Sequence, residues 1–361
     1  MVKKILLVGG TWNEKGGMPS SIIKKMHKIM NVARVHNGGN YEDLRKIIES
    51  TPKYDYVFWF ANVENNDLAK IRNVKDYNPK CMLITSKRND NNKYDYEELL
   101  RRALSQKANL CFEFSKVADK LFNIRVFDPL GCVWYDGTDI TLAIQVCLNR
   151  LEYLSNVTRK PSISSTGNIE VEFNETDKKF LEIIKSSANT FHNLMCLPDH
   201  VDRFVGNASL RFKTPTRCMD GFPAIRKDNL VLMSRRNVDK TGISEKDFVP
   251  CFLNDDENVE YFGENKPSVD SPVQLRVFRE YPNIDYILHG HVYIKDAPFT
   301  SMPIPCGAVE EINEIIANVP KDTDFAVLNL KGHGCLIMTS AKNLDRMNDV
   351  IFEVRKLPEF I

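Results

Sequence analysis

Ile284-Asp-Tyr-Ile-Leu-His289-Gly-His291-Val-Tyr-Ile294 is a short apolar run that holds two histidines. Side chains two apart on a strand project to the same face, so a strand here points His289 and His291 together, with Gly290 leaving room behind them. Two neutral imidazoles side by side suit zinc or a similar borderline cation, although an H-x-H pair by spacing alone is a weak signal. Further on, Asn329-Leu-Lys-Gly-His333-Gly-Cys-Leu-Ile sets a third histidine between glycines, which let the backbone turn sharply and bring the ring close to another strand.

Outward from this stretch the second half reads as a mixed α/β pattern. Helical spacing falls at residues 175–193, 272–281 and 309–318, and strand-like pieces at 208–212, 230–233, 285–291, 325–330 and 334–339. Asn174-x-x-Asp177 is a cap for the first of these helices. The first half alternates differently. Continuous apolar runs at residues 4–8, 56–61, 81–85 and 110–114, with a weaker one at 33–36, are separated by helical segments at 20–30, 41–49 and 96–105, and a helix at 139–153 closes the region. Buried runs spaced by helices imply a doubly wound, flavodoxin- or Rossmann-like parallel sheet. The polar, Ser/Thr-rich stretch that follows reads as a linker. The expected organisation is a domain at 1–156, a linker at 157–174 and a second domain at 175–361.

The chain has 361 residues, enough for two cores, and Lys+Arg nearly balance Asp+Glu, at 49 against 48. That balance gives no electrostatic case for nucleic acid or an anionic membrane as main partner. Nine cysteines, odd in number and without a C-x-x-C pair, read as reduced thiols rather than a disulfide framework. The apolar start at Ile5–Val8 is too short for a secretory signal core and reads as a first buried strand. No stretch is long enough to span a bilayer, and a cytoplasmic location is expected.

Several segments of the second half, taken in order, resemble the class II aldolase/adducin family. Val205-Gly206-Asn207-Ala-Ser-Leu-Arg is similar to that family's G-N-x-S-x-R, and Ser234-Arg-Arg236-Asn237-Val-Asp-Lys stands where it has T-P-S-G-V-D. Ile243-Ser-Glu-Lys-Asp-Phe is similar to L-T-P-E-D, and Lys266-Pro-Ser268-Val-Asp270 to K-P-S-S-E. His289-Gly-His291 then stands for H-T-H, and Pro303-Ile-Pro-Cys306-Gly-Ala-Val-Glu-Glu311 and Gly332-His333-Gly-Cys-Leu complete the series, the latter for N-H-G-V-L. The resemblance implies a three-layer α/β/α domain and a Zn2+ or other divalent metal held by His289, His291 and His333. It further implies an aldolase-type lyase that cleaves a small phosphorylated sugar through a metal-stabilised enediolate, in a homo-oligomer that is commonly a tetramer. Epimerase, dehydratase and decarboxylase chemistry belong to the same scaffold. The alternative is a non-catalytic, adducin-like protein serving assembly or ligand sensing.

By the same resemblance Asp270 is the proton-transfer residue, where the family has Glu. Its shorter side chain retracts the carboxylate by roughly 1.5 Å, and an N-cap role for the helix that follows is an equally good reading. Gly206, Asn207, Ser234, Arg236, Asn237 and Ser268 would bind the substrate's anionic group; two arginines in the middle loop bring planar forks suited to carboxylate or phosphate. Lys240 and Arg211 are weaker candidates for the same anion and read more readily as surface charges. In the first half, Val8-Gly-Gly-Thr-Trp-Asn-Glu-Lys-Gly-Gly-Met-Pro-Ser-Ser-Ile-Ile runs from a strand into a helix. It reads either as an anion cradle for a phosphate or nucleotide or as a glycine-rich turn without a ligand. Trp12 and Trp59 are stacking candidates, though core packing is the commoner role.

Overall fold

The computed structural model describes residues 3–63, 74–167, 169, 171–195, 206–212 and 230–361. Of the positions read from sequence, Cys196, Cys218, Val205 and, in the expected linker, Asn168 and Glu170 lie outside the described residues. The chain forms two compact units, one of residues up to 156 together with Leu357–Ile361, the other of residues between 157 and 356. No helix among the described residues is long and apolar enough to cross a membrane.

The first unit is built on an eight-stranded sheet. Its parallel part runs β2(Ala33–Gly39), β1(Ile5–Trp12), β3(Tyr56–Val63), β4(Met82–Arg88), β5(Leu110–Ala118). The connecting helices α1(Ser21–Ile29), α2(Tyr41–Glu49), α3(Val74–Tyr77), α4(Tyr96–Ser105) and α5(Ile140–Asn156) serve a sheet buried on both sides. Leu7 and Phe58 pack in a core with α1 and α5, whereas Leu6, Val8 and Val57 pack in another with α2. Alternate residues of one strand thus feed opposite layers, and each strand reads as a continuous apolar run for that reason. Trp12 and Trp59 are buried at 1% and 5% exposure and serve as core.

The remainder of this sheet departs from the all-parallel expectation. β6(Leu121–Phe127) and β7(Cys132–Gly137) continue it as an antiparallel meander, and β18(Glu359–Phe360), from the end of the chain, adds in parallel to β7. The last residues therefore belong to the first unit rather than to a domain ending at 361.

The second unit holds another eight-stranded sheet, in the order β15(Phe325–Leu330), β16(Gly334–Thr339), β13(Tyr286–Gly290), β9(Asn207–Arg211), β10(Val231–Ser234), β11(Phe248–Leu253), β12(Val259–Phe262), β8(Ser162–Ser165). All neighbours are antiparallel except β12 and β8. β8 lies in the stretch expected to be a linker. Its pairing with β12 stands in for the apolar pattern its Ser-rich sequence lacks. A small ribbon pairs β14(Tyr293–Ile294) with β17(Phe352–Glu353).

Period-two alternation splits this sheet between two layers. Leu232, Leu288 and Ile337 face Phe180 and Ile184 of α6(Glu175–Leu194). Met233, Ile287 and Met338 face Val277 and Phe278 of α7(Ser271–Glu280) and Ile312 and Ile315 of α8(Glu311–Asn318). The result is the three-layer α/β/α arrangement. At the start of α6, Asn174 accepts from the Thr176 and Asp177 amides while Asp177 reaches back to the Asn174 amide, a full capping box. Seven cysteines are described, and all are free thiols.

Candidate metal centre

The three histidines converge. One ring nitrogen of each of His289, His291 and His333 lies within 4.8 Å of those of the other two. Their ring centres are 4.6 Å apart for His289 and His333, 5.0 Å for His291 and His333, and 5.1 Å for His289 and His291. His289 sits on β13, whereas His291 lies just past the strand's end at Gly290, so the two do not share one regular strand as their spacing suggests. The cause is the crowded crossing with β16: a Cβ on Gly334 would lie 2.0 Å from the Gly290 carbonyl oxygen and 2.8 Å from the His291 Cα. That close approach brings His333 against the other pair.

Hydrogen bonds decide which nitrogen two of the rings, His289 and His333, offer. His289 Nδ1 lies 2.8 Å from the Cys335 carbonyl oxygen, and since a carbonyl only accepts, Nδ1 carries the proton. His333 Nδ1 lies 3.2 Å from Glu311 Oε1 and donates to it in the same way. The Nε2 atoms of His289 and His333 are buried with no hydrogen-bond partner among the described residues. Two buried, lone-pair-bearing nitrogens left without a donor are costly unless something electrophilic sits between them. A carbonyl or carboxylate behind each ring is the usual outer arrangement of metal-bound imidazole, so the residues fit a divalent cation. Burial, and next the field of His333, lowers the His289 pKa to about 4, which keeps that ring neutral and able to ligate. Burial also acts to lower His333, but the Glu311 carboxylate outweighs it and leaves its pKa raised.

Asp270 opens α7, but its side chain does not cap the helix. It is 6% exposed and turned toward the histidines, with Oδ2 3.9 Å from His289 Nε2. Asn207 Nδ2 donates to that Oδ2 at 2.7 Å, and the Cys306 thiol donates to Oδ1 at 2.9 Å. Burial alone would raise this carboxyl; His289, His333, the Cys306 thiol and the Gly307 amide outweigh it and hold the pKa below the usual carboxylate range. Asp270, Cys306 and His333 also bring one ligand atom each within 4.8 Å of one another.

The residues read as an anion site come together only in part. Ser268 N–H donates to the Ser234 carbonyl, the Arg236 N–H to the Lys266 carbonyl, and Arg235 bridges to Pro267, so these two segments meet beside Asp270. Gly206 adopts φ +82, and a Cβ there would lie 2.4 Å from the His289 carbonyl oxygen. Within this cluster Asn207 is 1% exposed, its Nδ2 donating to Asp270 and its Oδ1 accepting from Gln274 Nε2. The Ser234 hydroxyl, fully buried, accepts from the Ala208 amide. Arg235 pairs with Asp247 at 2.8 Å. Arg236 and Asn237 are exposed, and Ser268 is half-buried.

Two side chains read as surface charges are not. Lys240 is 4% exposed, donates to the Val238 carbonyl at 3.2 Å, and has its pKa lowered to about 8 chiefly by burial. Arg211 spans the end of α7, donating to the carbonyls of Phe278, Tyr281 and Ile284. Cys306 and Glu311 lie in a family-like segment but carry no individual role in the sequence reading, and Gln274 is not singled out there. Each carries an ordinary reading there, and only the tertiary contact reveals its place.

The family model for the class II aldolase and adducin N-terminal domain matches residues 188–294. Among solved structures, a DNA/pantothenate metabolism flavoprotein from Streptococcus pneumoniae is similar at 10% identity and a TM-score of 0.34, over 42% of this chain and 100% of its own. YgbL from Klebsiella pneumoniae is similar at 14% identity and a TM-score of 0.32, over 48% of this chain and 82% of its own. An L-fuculose 1-phosphate aldolase is similar at 16% and 0.31, over 49% and 85%. Likenesses this remote carry no activity across, and the assignment rests on the family match. Within the second unit, residues 188–294 therefore match the class II aldolase and adducin N-terminal domain.

Proposed function

We propose that the second unit is a divalent-metal-dependent, aldolase-type carbon–carbon lyase acting on a small anionic sugar-type substrate. His289, His291 and His333 are its metal ligands, zinc being the cation that three imidazoles suit best, and Asp270 is its proton-transfer group. The observation that carries this reading is the pair of buried, partnerless Nε2 atoms on His289 and His333. A bound divalent cation would supply Lewis acidity for a substrate carbonyl.

The chain's own residues then have distinct tasks. In aldol cleavage a base takes the proton from the hydroxyl beside the scissile bond, that O–H pair becomes the new carbonyl, and the C–C pair moves toward the existing one. Asp270 Oδ2 is the acceptor for that proton. Its lowered pKa keeps it ionised at neutral pH, and Asn207 and Cys306 hold its two oxygens in fixed directions. Ser234 keeps its O–H and Asn207 a second Nδ2–H as donors beyond the bonds named, and Arg236 and Ser268 add anion contacts to them, with Gly206 and Asn237 shaping the turns. No ion pair to Arg236 is present among the described residues. The altered loop favours a substrate whose anionic group differs in shape from a ketose phosphate. It is also the feature that favours the second reading, a non-catalytic adducin-like domain.

A panel of phosphorylated and carboxylated ketoses, screened for aldehyde release with Asp270→Asn as control, separates the two. Metal-dependent release that the control lacks is the expected result. A fully metal-loaded protein inert across the panel would favour the non-catalytic domain. The homo-oligomer implied by the resemblance is checked by light scattering of the metal-loaded protein.

A further inference from the structure

The first unit holds a cavity that the aldolase-type reading leaves unused. It occupies about 330 Å3 at the carboxyl ends of β1, β3 and β4, where Gly10, Ala61 and Ser86 line it. In the strand order, β1 and β3 are neighbours. The chain leaves them in opposite directions, β1 toward β2 and β3 toward β4. Doubly wound sheets open a crevice at such a reversal, and ligands bind there.

The glycine-rich segment forms one wall of the crevice. Thr11 N–H donates to the Met18 carbonyl at 2.8 Å, and Asn37 accepts from the Ser20 amide at 2.8 Å and donates to its carbonyl at 2.9 Å. These bonds pin the start of α1 at the cavity, which Ser20, Ile22 and Ile23 also line. The Ser20 side chain does not cap the helix, and the first turn contains no acidic residue.

Charge and shape agree on the class of ligand. Lys87, Arg88 and Arg102 line the cavity, Arg88 also pairing with Asp90 at its rim, and no carboxylate lines it among the described residues. A second cavity of about 570 Å3 shares Ile22, Arg88, Phe114 and Phe122 with it and adds Lys25, Lys116 and Lys120 against the single carboxylate of Asp119. The flat apolar faces in the first cavity are Phe60, Phe114 and Phe122, and the Arg88 guanidinium lies 5.4 Å from the Phe122 ring centre. Cations alone would suit any anion, whereas cations beside aromatic rings suit an anion that carries a planar group. We infer that the first unit binds a nucleotide, its phosphates between the start of α1 and the Lys87–Arg88–Arg102 side and its base against Phe114 and Phe122.

Calorimetric titration of the full chain with ADP and with CDP tests this, with pyrophosphate and adenosine as the separate halves. At least one nucleotide should bind one per chain and more tightly than either half. A Lys87→Glu, Arg88→Glu double variant should weaken nucleotide and pyrophosphate together by at least about tenfold. Phe122→Ala should weaken the nucleotide by roughly tenfold and leave pyrophosphate unchanged. Circular dichroism and the thermal unfolding midpoint of each variant, unchanged from the parent, serve as the check that the first unit is folded. The inference is overturned if neither nucleotide binds at about 1 mM, if pyrophosphate binds as tightly as the nucleotides, or if the folded variants bind as the parent does.

Discussion

Glu311 Oε1 lies 3.2 Å from Nδ1 of His333, and both residues are almost fully buried, at 4% and 2% exposure. This contact holds the His333 ring with Nε2 toward His289 and His291. Replacing the carboxylate by an amide leaves the size unchanged but offers the ring a neutral partner that can flip. Glu311→Gln should lower the affinity for a divalent metal by about 10- to 100-fold, read by competition with a chromophoric chelator. An unchanged affinity would reduce Glu311 to a packing residue.

Asp270 is bound at both oxygens, by Asn207 and by the Cys306 thiol. If its oxygen moves the proton, Asp270→Asn should keep the metal and lose turnover by about 100- to 10,000-fold. Metal content measured alongside the rate separates this from collapse of the site. A variant that keeps both metal and rate would move the proton transfer to another group.

Gly290 is the smallest residue that fits its position: a Cβ there would lie 2.6 Å from the Phe191 ring. Gly290→Thr, which restores the H-T-H pattern of the family, should therefore destabilise the domain by about 1–3 kcal/mol. Phe191→Ala has its own cavity cost, but the double variant should be more stable than the sum of the single losses implies. Urea unfolding of the four proteins measures the coupling, and strict additivity would remove the steric explanation.

The three histidines were legible because their chemistry is rare and their glycine neighbours mark close backbone crossings. β15 and β16 coincide with the expected 325–330 and 334–339, since Gly332 and Gly334 delimit the turn between them. Glu311 could not be read the same way, because an acidic residue in a helix's first turn already has a reason to be there. Asn207 sits in a family-like segment, yet which way an amide points is decided by Asp270 and Gln274, distant in the chain. Ser162–Ser165 reads as a linker because its strand is made by backbone pairing with β12, not by apolar alternation. The meander of β6 and β7 and the return of Glu359–Phe360 to β7 are long-range choices of the same kind.

Lys240 gives the account a pH signature. Its folded-state pKa of about 8 lies below the ordinary lysine value of 10.5, because burial opposes the charge more than Asp239 supports it. Below pH 8 the lysine is charged in both states and burying it costs stability. Between that pKa and 10.5 the folded chain sheds the proton before the unfolded one, so the cost fades as pH rises. Lys240→Met should thus be more stable than the parent by on the order of 1–3 kcal/mol at pH 7, with the gap closing toward pH 10. Denaturant midpoints across that range test it, and a gap that widens with pH would contradict the assignment.

The most direct test is elemental analysis of the full chain after exposure to zinc and exhaustive dialysis, beside His289→Ala and His333→Ala. Three imidazoles closing on one cation predict about one metal ion per chain in the parent and close to none in either variant, with both variants still folded by circular dichroism. A parent that emerges metal-free, or variants that retain its full content, would contradict a metal centre at His289, His291 and His333.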